Sequence, residues 1–270
     1  SGTPTERHIV RAYRRKAESA FADQGSRLRF WSEILKADPG AVSEWEPDIP
    51  VMEEKIRGAL VKRGGIGYER PTAGTFPPIE DFILWVRDCR ALPTVAWLDG
   101  TSAGEADALT MLERLHALGA CALNIIPDRN YRIANPDQRS VKVRKLAEIV
   151  AAAETLGFPI NIGTEMNKDG QPFVDDTGAE ALQPYHAAFM KGARIMVGHT
   201  ILGRYADYAY VGEAVQIEFG TNTERKNAFF EAVGSLPPLT DTIARRLESL
   251  GPQRSLACLH DSASHGSWRL

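Results

Sequence analysis

The N-terminal quarter of the chain carries apolar residues at helical spacing. Between residues 5 and 35, apolar side chains recur every three or four positions, and a second such run spans residues 51–62. This spacing places the apolar side chains on one face of a helix and predicts amphipathic helices. Residues 3–63 contain no grouping of potential catalytic side chains. We therefore expect them to form an N-terminal helical segment that packs on a second domain, residues 64–270.

Beyond residue 64, short apolar runs alternate with amphipathic segments. The runs are continuous, as in strands that are buried on both faces of a parallel sheet. Six runs are predicted to be strands: 64–69, 93–99, 120–128, 158–165, 193–199 and 255–261. The main predicted helices between them are 79–90, 104–118, 136–156 and 179–191. This alternation predicts an α/β fold, a distorted or incomplete TIM-like (β/α) barrel with six or seven parallel strands, and an open doubly wound sheet is the alternative.

Polar side chains stand at the ends of five consecutive predicted strands. They are Glu69, Asp99, Asp128, Glu165 and His199. Neighbouring members are 29 to 37 residues apart, about the length of one βαβ unit. Because the carboxyl ends of parallel strands meet at one edge, we expect these side chains to converge. The last predicted strand adds His260 and Asp261, of which only one can face the pocket because adjacent strand residues point to opposite sides.

Carboxylates and imidazoles at one rim favour a divalent metal ion, which lowers the pKa of a bound water. The predicted metal ligands are Glu69, Glu165, His199 and His260. The predicted catalytic residues are Asp99, Asp128, Lys168 and Asp261. The predicted substrate-binding residues are Asn124, Arg129 and Asn167. Together they indicate metal-assisted chemistry on a small polar substrate.

Several of these residues also fit a structural role. Glu165 is equally typical of a buried carboxylate paired with an arginine, and His199 of a histidine that hydrogen-bonds to a neighbouring loop. Asp99 precedes a glycine, so it also fits a residue that caps a turn. Glu69 stands beside Arg70, which indicates a plain ion pair. The sequence leaves these alternatives open.

Two short motifs, GTEMN at 163–167 and GHT at 198–200, resemble those of the polymerase and histidinol phosphatase (PHP) superfamily of metal-dependent hydrolases. The resemblance implies a distorted (β/α)7 barrel, up to three zinc, manganese or iron ions, and phosphoester hydrolysis, with Glu165 as a bridging ligand and His199 as another. The chain lacks the family's first-strand His-x-His and its last-strand Asp-x-His. We expect either that the first strand lies upstream, in a longer protein, or that the scaffold has lost its metals.

Composition, net charge and cysteine spacing limit the class of protein, its partners and its cellular compartment. With 43% hydrophobic and 25% charged residues, the 270-residue chain is typical of a globular protein. A net charge of −3 argues against nucleic acid as a partner, and no apolar run reaches the roughly 18 residues that cross a membrane. Three widely spaced cysteines favour neither disulfides nor a thiolate zinc site and predict a cytoplasmic setting. The expected partner is a small-molecule substrate, and a homo-oligomer is compatible with the sequence.

The predicted function is therefore a metal-dependent hydrolase that acts on phosphoesters or other small polar substrates. One alternative is a lyase or isomerase of small hydroxy or oxo acids, with one metal ion and Lys168 or Asp128 as the proton carrier. Another alternative is a scaffold that keeps the fold without metal or catalysis.

Overall fold

The computed structural model describes residues 4–166 and 171–270, which divide into two compact units. The first unit extends to residue 76, and the second begins at residue 77. Each unit has a hydrophobic core of its own, because the apolar side chains of the N-terminal helices cluster separately from those around the sheet.

Helices alone make up the regular structure described in the first unit. They are α1 (Glu6–Ala20), α2 (Gln24–Leu35), α3 (Pro39–Trp45) and α4 (Ile49–Leu60). An aspartate precedes each of the last three and accepts a hydrogen bond from a backbone N–H of the first turn: Asp23, Asp38 and Asp48. The apolar faces meet in a core around Trp31 and Met52. The helices predicted in this part of the chain are confirmed.

The second unit begins with alternating helices and strands. They are α5 (Ile79–Asp88), β1 (Thr94–Trp97), α6 (Ala108–Ala117), β2 (Ala122–Ile125), α7 (Pro136–Thr155) and β3 (Ile160–Ile162). The strands are parallel and are hydrogen-bonded in the order β1-β2-β3. Trp97 pairs with Ile125, and Ile125 pairs with Ile162. The carboxyl ends of the three strands therefore meet at one edge, as the sequence predicted for this part of the chain.

The rest of the second unit is helical. Its helices are α8 (His186–Ala206), α9 (Glu213–Phe219), α10 (Thr223–Gly234), α11 (Asp241–Leu250) and α12 (Pro252–His265). The strands predicted at 193–199 and 255–261 are wrong because these residues lie within α8 and α12. The strand predicted at 64–69 is also wrong, because residues 64–67 form turns and bends and residues 68–69 are irregular. The predicted TIM-like barrel is wrong as well, since the described residues contain a single three-stranded sheet.

Close packing explains why part of α8 resembles a strand in the sequence. A Cβ atom at Gly192 would lie 2.0 Å from the Ile160 carbonyl oxygen, and one at Gly198 would lie 2.0 Å from the Phe230 carbonyl oxygen. The two glycines therefore let the helix backbone approach β3 on one side and α10 on the other. Burial on several sides makes the run between them almost continuously apolar, and a short run of this kind does not distinguish a buried strand from a buried helix.

The run at 255–261 has a similar explanation. Pro252 occupies the first turn of α12, where its missing N–H costs no helical hydrogen bond. The buried members of the helix are Ser255, Leu259 and Ser262, which follow a spacing of three or four residues. Ser255 and Ser262 are polar, so the helical period is hidden in the hydrophobic pattern. Only the apolar residues between them remain visible, and these resemble a strand.

Candidate functional site

The carboxyl edge of the sheet gathers polar side chains from the loops that follow β1, β2 and β3. After β1, the Glu105 carboxylate accepts hydrogen bonds from the backbone N–H groups of Leu98 (2.8 Å) and Gly100 (3.2 Å). These bonds hold the loop in a tight turn at the end of the strand. Sequence reasoning missed Glu105 because the predicted helix 104–118 includes it, whereas α6 begins only at Ala108.

Asp99, a predicted catalytic residue, stabilises the same turn. One of its carboxylate oxygens accepts hydrogen bonds from the Thr101 backbone N–H (3.0 Å) and from the Thr101 hydroxyl (2.5 Å). The Lys142 ammonium lies 2.9 Å from the other oxygen. Burial acts to raise the pKa of Asp99, but the hydrogen bonds from Thr101 and Lys142 outweigh it and lower that pKa below its usual value. The turn-capping alternative therefore describes this residue.

The loop after β2 meets the loop after β3 through an ion pair. The Arg129 guanidinium donates a hydrogen bond of 2.6 Å to the Glu165 carboxylate. Both side chains are partly exposed, at 39% for Arg129 and 27% for Glu165, so the pair stays accessible to a ligand. The sequence predicted Glu165 at the carboxyl end of a strand and Arg129 as a substrate-binding residue, and the structure brings these two side chains together. Their direct pairing is the structural alternative that the sequence left open for Glu165.

Asp128 forms a second charged group with Arg132 and Asp175. Arg132 Nε lies 3.2 Å from Asp128 Oδ1, but its hydrogen is donated to the Tyr131 hydroxyl, 3.1 Å away. Burial raises the pKa of Asp175, and the negative charge of Asp128 raises it further, whereas Arg132 acts in the opposite direction. Asp175 therefore keeps its proton to a higher pH than an ordinary aspartate does. Sequence reasoning missed both Arg132 and Asp175.

Four buried polar atoms of this region have no hydrogen-bond partner within residues 4–166 and 171–270. They are Asp128 Oδ1, Arg129 Nε, Asn130 Oδ1 and Asp175 Oδ1. Asn130 is fully buried, and its amide nitrogen donates to the carbonyl oxygens of Leu98 (3.2 Å) and Ile126 (2.9 Å). Its oxygen is thereby fixed in orientation but unused. Buried polar atoms without partners are uncommon in folded proteins, so the grouping of four in residues 128–130 and 175 distinguishes this region.

Asn124, a predicted substrate-binding residue, is occupied by a neighbouring strand. Its side-chain oxygen accepts a hydrogen bond of 2.7 Å from the amide of Asn161, which is its direct partner in the sheet. The two amides are partly buried and bridge β2 and β3 on one face of the sheet. Their role in the described structure is cross-strand pairing, and sequence reasoning missed Asn161.

The two predicted histidine ligands lie on helices. The His199 ring is on α8, and its Nδ1 accepts a hydrogen bond from the Tyr210 backbone N–H (3.2 Å). Burial lowers the pKa of His199, so the neutral ring that accepts this bond is favoured. His260, on α12, stacks on the Phe229 ring with the centroids 4.2 Å apart. Both placements differ from the strand ends that the sequence predicted.

The remaining predicted residues are also dispersed. Asp261 lies on the surface of α12 and pairs with His265 at 3.2 Å. Because these residues are helical, the expectation that His260 and Asp261 point to opposite faces of a strand is wrong. Glu69 is exposed in an irregular stretch of the first unit. Asn167 and Lys168 lie outside the described residues.

The predicted metal ligands are therefore not assembled as expected. Within the part of the chain that the structure describes, no three histidine, cysteine, aspartate or glutamate side chains are close enough to hold a metal ion together. Of the three predicted ligands in the second unit, only Glu165 lies at the carboxyl edge of the sheet. Its carboxylate is paired with Arg129.

Comparisons with models of protein families, with curated proteins and with solved structures find no match. The resemblance to the PHP superfamily accordingly stays a prediction. Among the described helices, none has the length and apolar character needed to span a membrane.

Proposed function

We propose that the carboxyl edge of the sheet binds a small hydroxy or oxo acid and transfers a proton on it, as a lyase or an isomerase does. The observation that carries this proposal is the set of four buried polar atoms around residues 128–130 and 175 that have no hydrogen-bond partner among the described residues. One of them, Asp128 Oδ1, lies within ion-pair distance of Arg132. A ligand that satisfies them gains hydrogen bonds at little added desolvation cost, because the protein atoms are already removed from bulk water.

The chemistry of the four atoms indicates the kind of ligand. Arg129 Nε is a donor and requires an acceptor such as a carboxylate oxygen. The oxygens of Asp128 and Asn130 are acceptors and require donors such as hydroxyl groups. A small acid that carries one or more hydroxyl groups offers both. A hydrocarbon or a simple amine offers no acceptor to Arg129, so these classes fit less well.

Asp175 is the group best suited to carry the proton. Its burial and the neighbouring Asp128 charge raise its pKa, which moves the carboxyl group toward the pH range in which it can both donate and accept. Arg132, which interacts electrostatically with both carboxylates, can offset the negative charge that develops on the substrate. This assignment differs from that of the sequence, which suggested Lys168, outside the described residues, or Asp128 as the proton carrier.

Metal-dependent hydrolysis of phosphoesters stays a prediction from the sequence. The arrangement of the described residues does not favour it, because Glu165 pairs with Arg129 and the two predicted histidine ligands lie on α8 and α12. Proton transfer on an acid needs only groups that lie at the edge, namely a carboxyl group, a second carboxylate and arginines.

Binding and exchange experiments test the proposal separately. Titration calorimetry compares malate with succinate, which lacks only the hydroxyl group, and we expect malate to bind at least tenfold more tightly. The Arg129→Lys variant keeps the positive charge beside Glu165 but lacks Nε. The loss of one charged hydrogen bond costs about 1.5–3 kcal/mol, so we expect tenfold or greater weakening in this variant.

Proton transfer is measured by NMR in deuterated water, as exchange of the carbon-bound proton next to the carboxylate in a panel of hydroxy acids. We expect exchange with the native protein and its loss in Asp175→Asn. Asp176→Asn is the matched control, since Asp176 is the exposed neighbour and, among the described residues, its carboxylate accepts a hydrogen bond from the Gly178 backbone N–H. Absence of binding and exchange across the panel, or native behaviour of both Arg129→Lys and Asp175→Asn, contradicts the proposal.

A further inference from the structure

Lys226, on α10, has an unusual environment for a lysine. Its ammonium nitrogen lies 4.0 Å from the centroid of the Tyr210 ring, and its side chain is largely withdrawn from water. Within residues 4–166 and 171–270, no carboxylate lies within ion-pair distance of it. Other lysines have such partners: Lys62 pairs with Glu6, Lys142 with Asp99, and Lys145 with Glu148.

The ring beneath Lys226 is held in a fixed position. The Tyr210 hydroxyl donates a hydrogen bond of 2.6 Å to the Asn227 side-chain oxygen, and the Asn227 amide donates one of 2.7 Å to the Gly157 carbonyl oxygen. Gly157 follows α7 and precedes β3, so this chain of bonds lies at the amino end of the sheet. That end is opposite to the edge that carries Glu165.

The titratable groups around Lys226 determine the state of its amine. Burial lowers the pKa of Lys226, and the positive charge of Arg87 on α5 lowers it further. A Cys121 thiolate would raise the pKa of Lys226, but burial raises the pKa of Cys121 to about 11, so the Cys121 thiol is neutral at pH 7. The Tyr210 ring attracts the ammonium form of Lys226. Burial raises the pKa of the Tyr210 hydroxyl, so Tyr210 adds no negative charge. The neutral, nucleophilic amine is therefore more abundant than in a solvated lysine.

We propose that Lys226 is a covalent attachment site for small aldehydes that carry a carboxylate. The neutral amine attacks the aldehyde carbon, and a proton moves from nitrogen to oxygen to give a carbinolamine. Loss of water then leaves a carbon–nitrogen double bond, so one water is released for each imine and no oxidant or reductant is required. Arg87, which is exposed and has no ion-pair partner among the described residues, supplies a positive charge for the carboxylate.

Reductive trapping tests the site on the intact protein. Glyoxylate is added with cyanoborohydride at pH 7.5, and the modified lysines are quantified by peptide mass spectrometry. Lys191 is the matched control because it lies exposed on the neighbouring helix α8. We expect Lys226 to be labelled at least tenfold faster than Lys191 at pH 7.5. We expect this ratio to fall toward one as the pH is raised to about 10 to 11, where solvated lysine amines in general lose their protons.

Two further measurements separate the parts of the proposal. Propionaldehyde lacks the carboxylate, and because the two aldehydes differ in intrinsic reactivity, each labelling rate of Lys226 is divided by that of Lys191 with the same aldehyde. We expect this ratio to be larger with glyoxylate than with propionaldehyde, and we expect Arg87→Gln to remove this difference. Equal labelling of Lys226 and Lys191 with both aldehydes at pH 7.5 overturns the attachment site. Labelling of Lys226 without a preference for glyoxylate overturns the requirement for a carboxylate. Neither result depends on the chemistry at the opposite edge of the sheet.

Discussion

The replacement of Gly198 by alanine tests the contact that joins α8 to α10. The two helices touch through their backbones in both directions. A Cβ atom at Gly198 would lie 2.0 Å from the Phe230 carbonyl oxygen, and one at Gly234 would lie 1.8 Å from the Arg194 carbonyl oxygen. Because the nearest atoms belong to the backbone, no side chain can rotate away to make room for a methyl group.

The expected cost follows from this geometry. An ordinary contact begins at 3.4 Å, so the helices would have to separate by about 1.4 Å at Gly198 or deform locally. Overpacking of this kind costs about 1–3 kcal/mol, and occasionally more. Alanine is better than glycine in a helix by about 1 kcal/mol, which offsets part of the loss. Because the clash is backbone to backbone, we expect a net decrease of about 2 kcal/mol in the free energy of unfolding.

Urea unfolding measures this decrease, and thermal unfolding checks it as a fall in Tm of about 4–8 °C. The control is Gly203→Ala on the same helix, where a Cβ atom would meet nothing within 4 Å. We expect this control to be unchanged or more stable by up to about 1 kcal/mol. If Gly198→Ala proves as stable as Gly203→Ala, the close approach of α8 and α10 is not as described.

Three further predictions concern buried polar groups. Burial lowers the pKa of His199 below 6.5, so the unfolded chain binds more protons than the folded protein just below pH 6.5. The free energy of unfolding therefore falls as the pH is lowered through this range. We expect His199→Asn to make the free energy of unfolding, measured in urea at pH 5 to 7, less dependent on pH. Iodoacetamide should label exposed Cys89 at least tenfold faster than Cys121, whose pKa burial raises to about 11, and equal rates would contradict the buried placement. Asn227→Ala leaves the Tyr210 hydroxyl without its acceptor and should lower the free energy of unfolding by about 1–3 kcal/mol, whereas an unchanged urea midpoint would contradict the hydrogen bond.

The elements that the sequence predicted correctly are those in which local pattern and tertiary environment agree. Strand β2 is buried on both faces and, apart from Asn124, is apolar. Helix α7 begins after Asn135 and ends before Gly157, which adopts a positive φ of 69°. Glycine accepts this left-handed conformation without the strain that other residues incur. A local signal at each end therefore located α7 correctly.

The prediction failed where one sequence feature has two physical causes. Glycine ends some helices because its backbone can turn, but at Gly192 and Gly198 it stands inside α8 because two backbones approach closely. The sequence contains no sign that separates these causes, since the second depends on what packs against the helix. The strand predicted at 193–199 assumed that these glycines mark turns, and it therefore placed His199 at the end of a strand and not on α8. The barrel was inferred from the same alternation and failed with it.

The candidate site was predicted in part for a similar reason. Asp99, Asp128, Arg129 and Glu165 follow directly from the ends of real strands, so topology placed them at one edge. Asp175 was missed because no strand or helix pattern surrounds it in the sequence. Asn130 was missed because in the sequence it is one of several polar residues in a loop. Their importance depends on burial and on unused hydrogen-bonding atoms, which only the folded structure reveals.

The two ends of the sheet can be tested independently because strand length separates them. Four residues of β2 span about 13 Å at about 3.3 Å per residue, with Cys121 before the strand and Asp128 beyond it. Substitutions more than about 7–10 Å apart that share no partners usually have additive effects. We therefore expect Arg129→Lys to leave the labelling of Lys226 unchanged, and Arg87→Gln to leave malate affinity unchanged. A change in either would show that the short strands transmit a structural shift between the ends of the sheet.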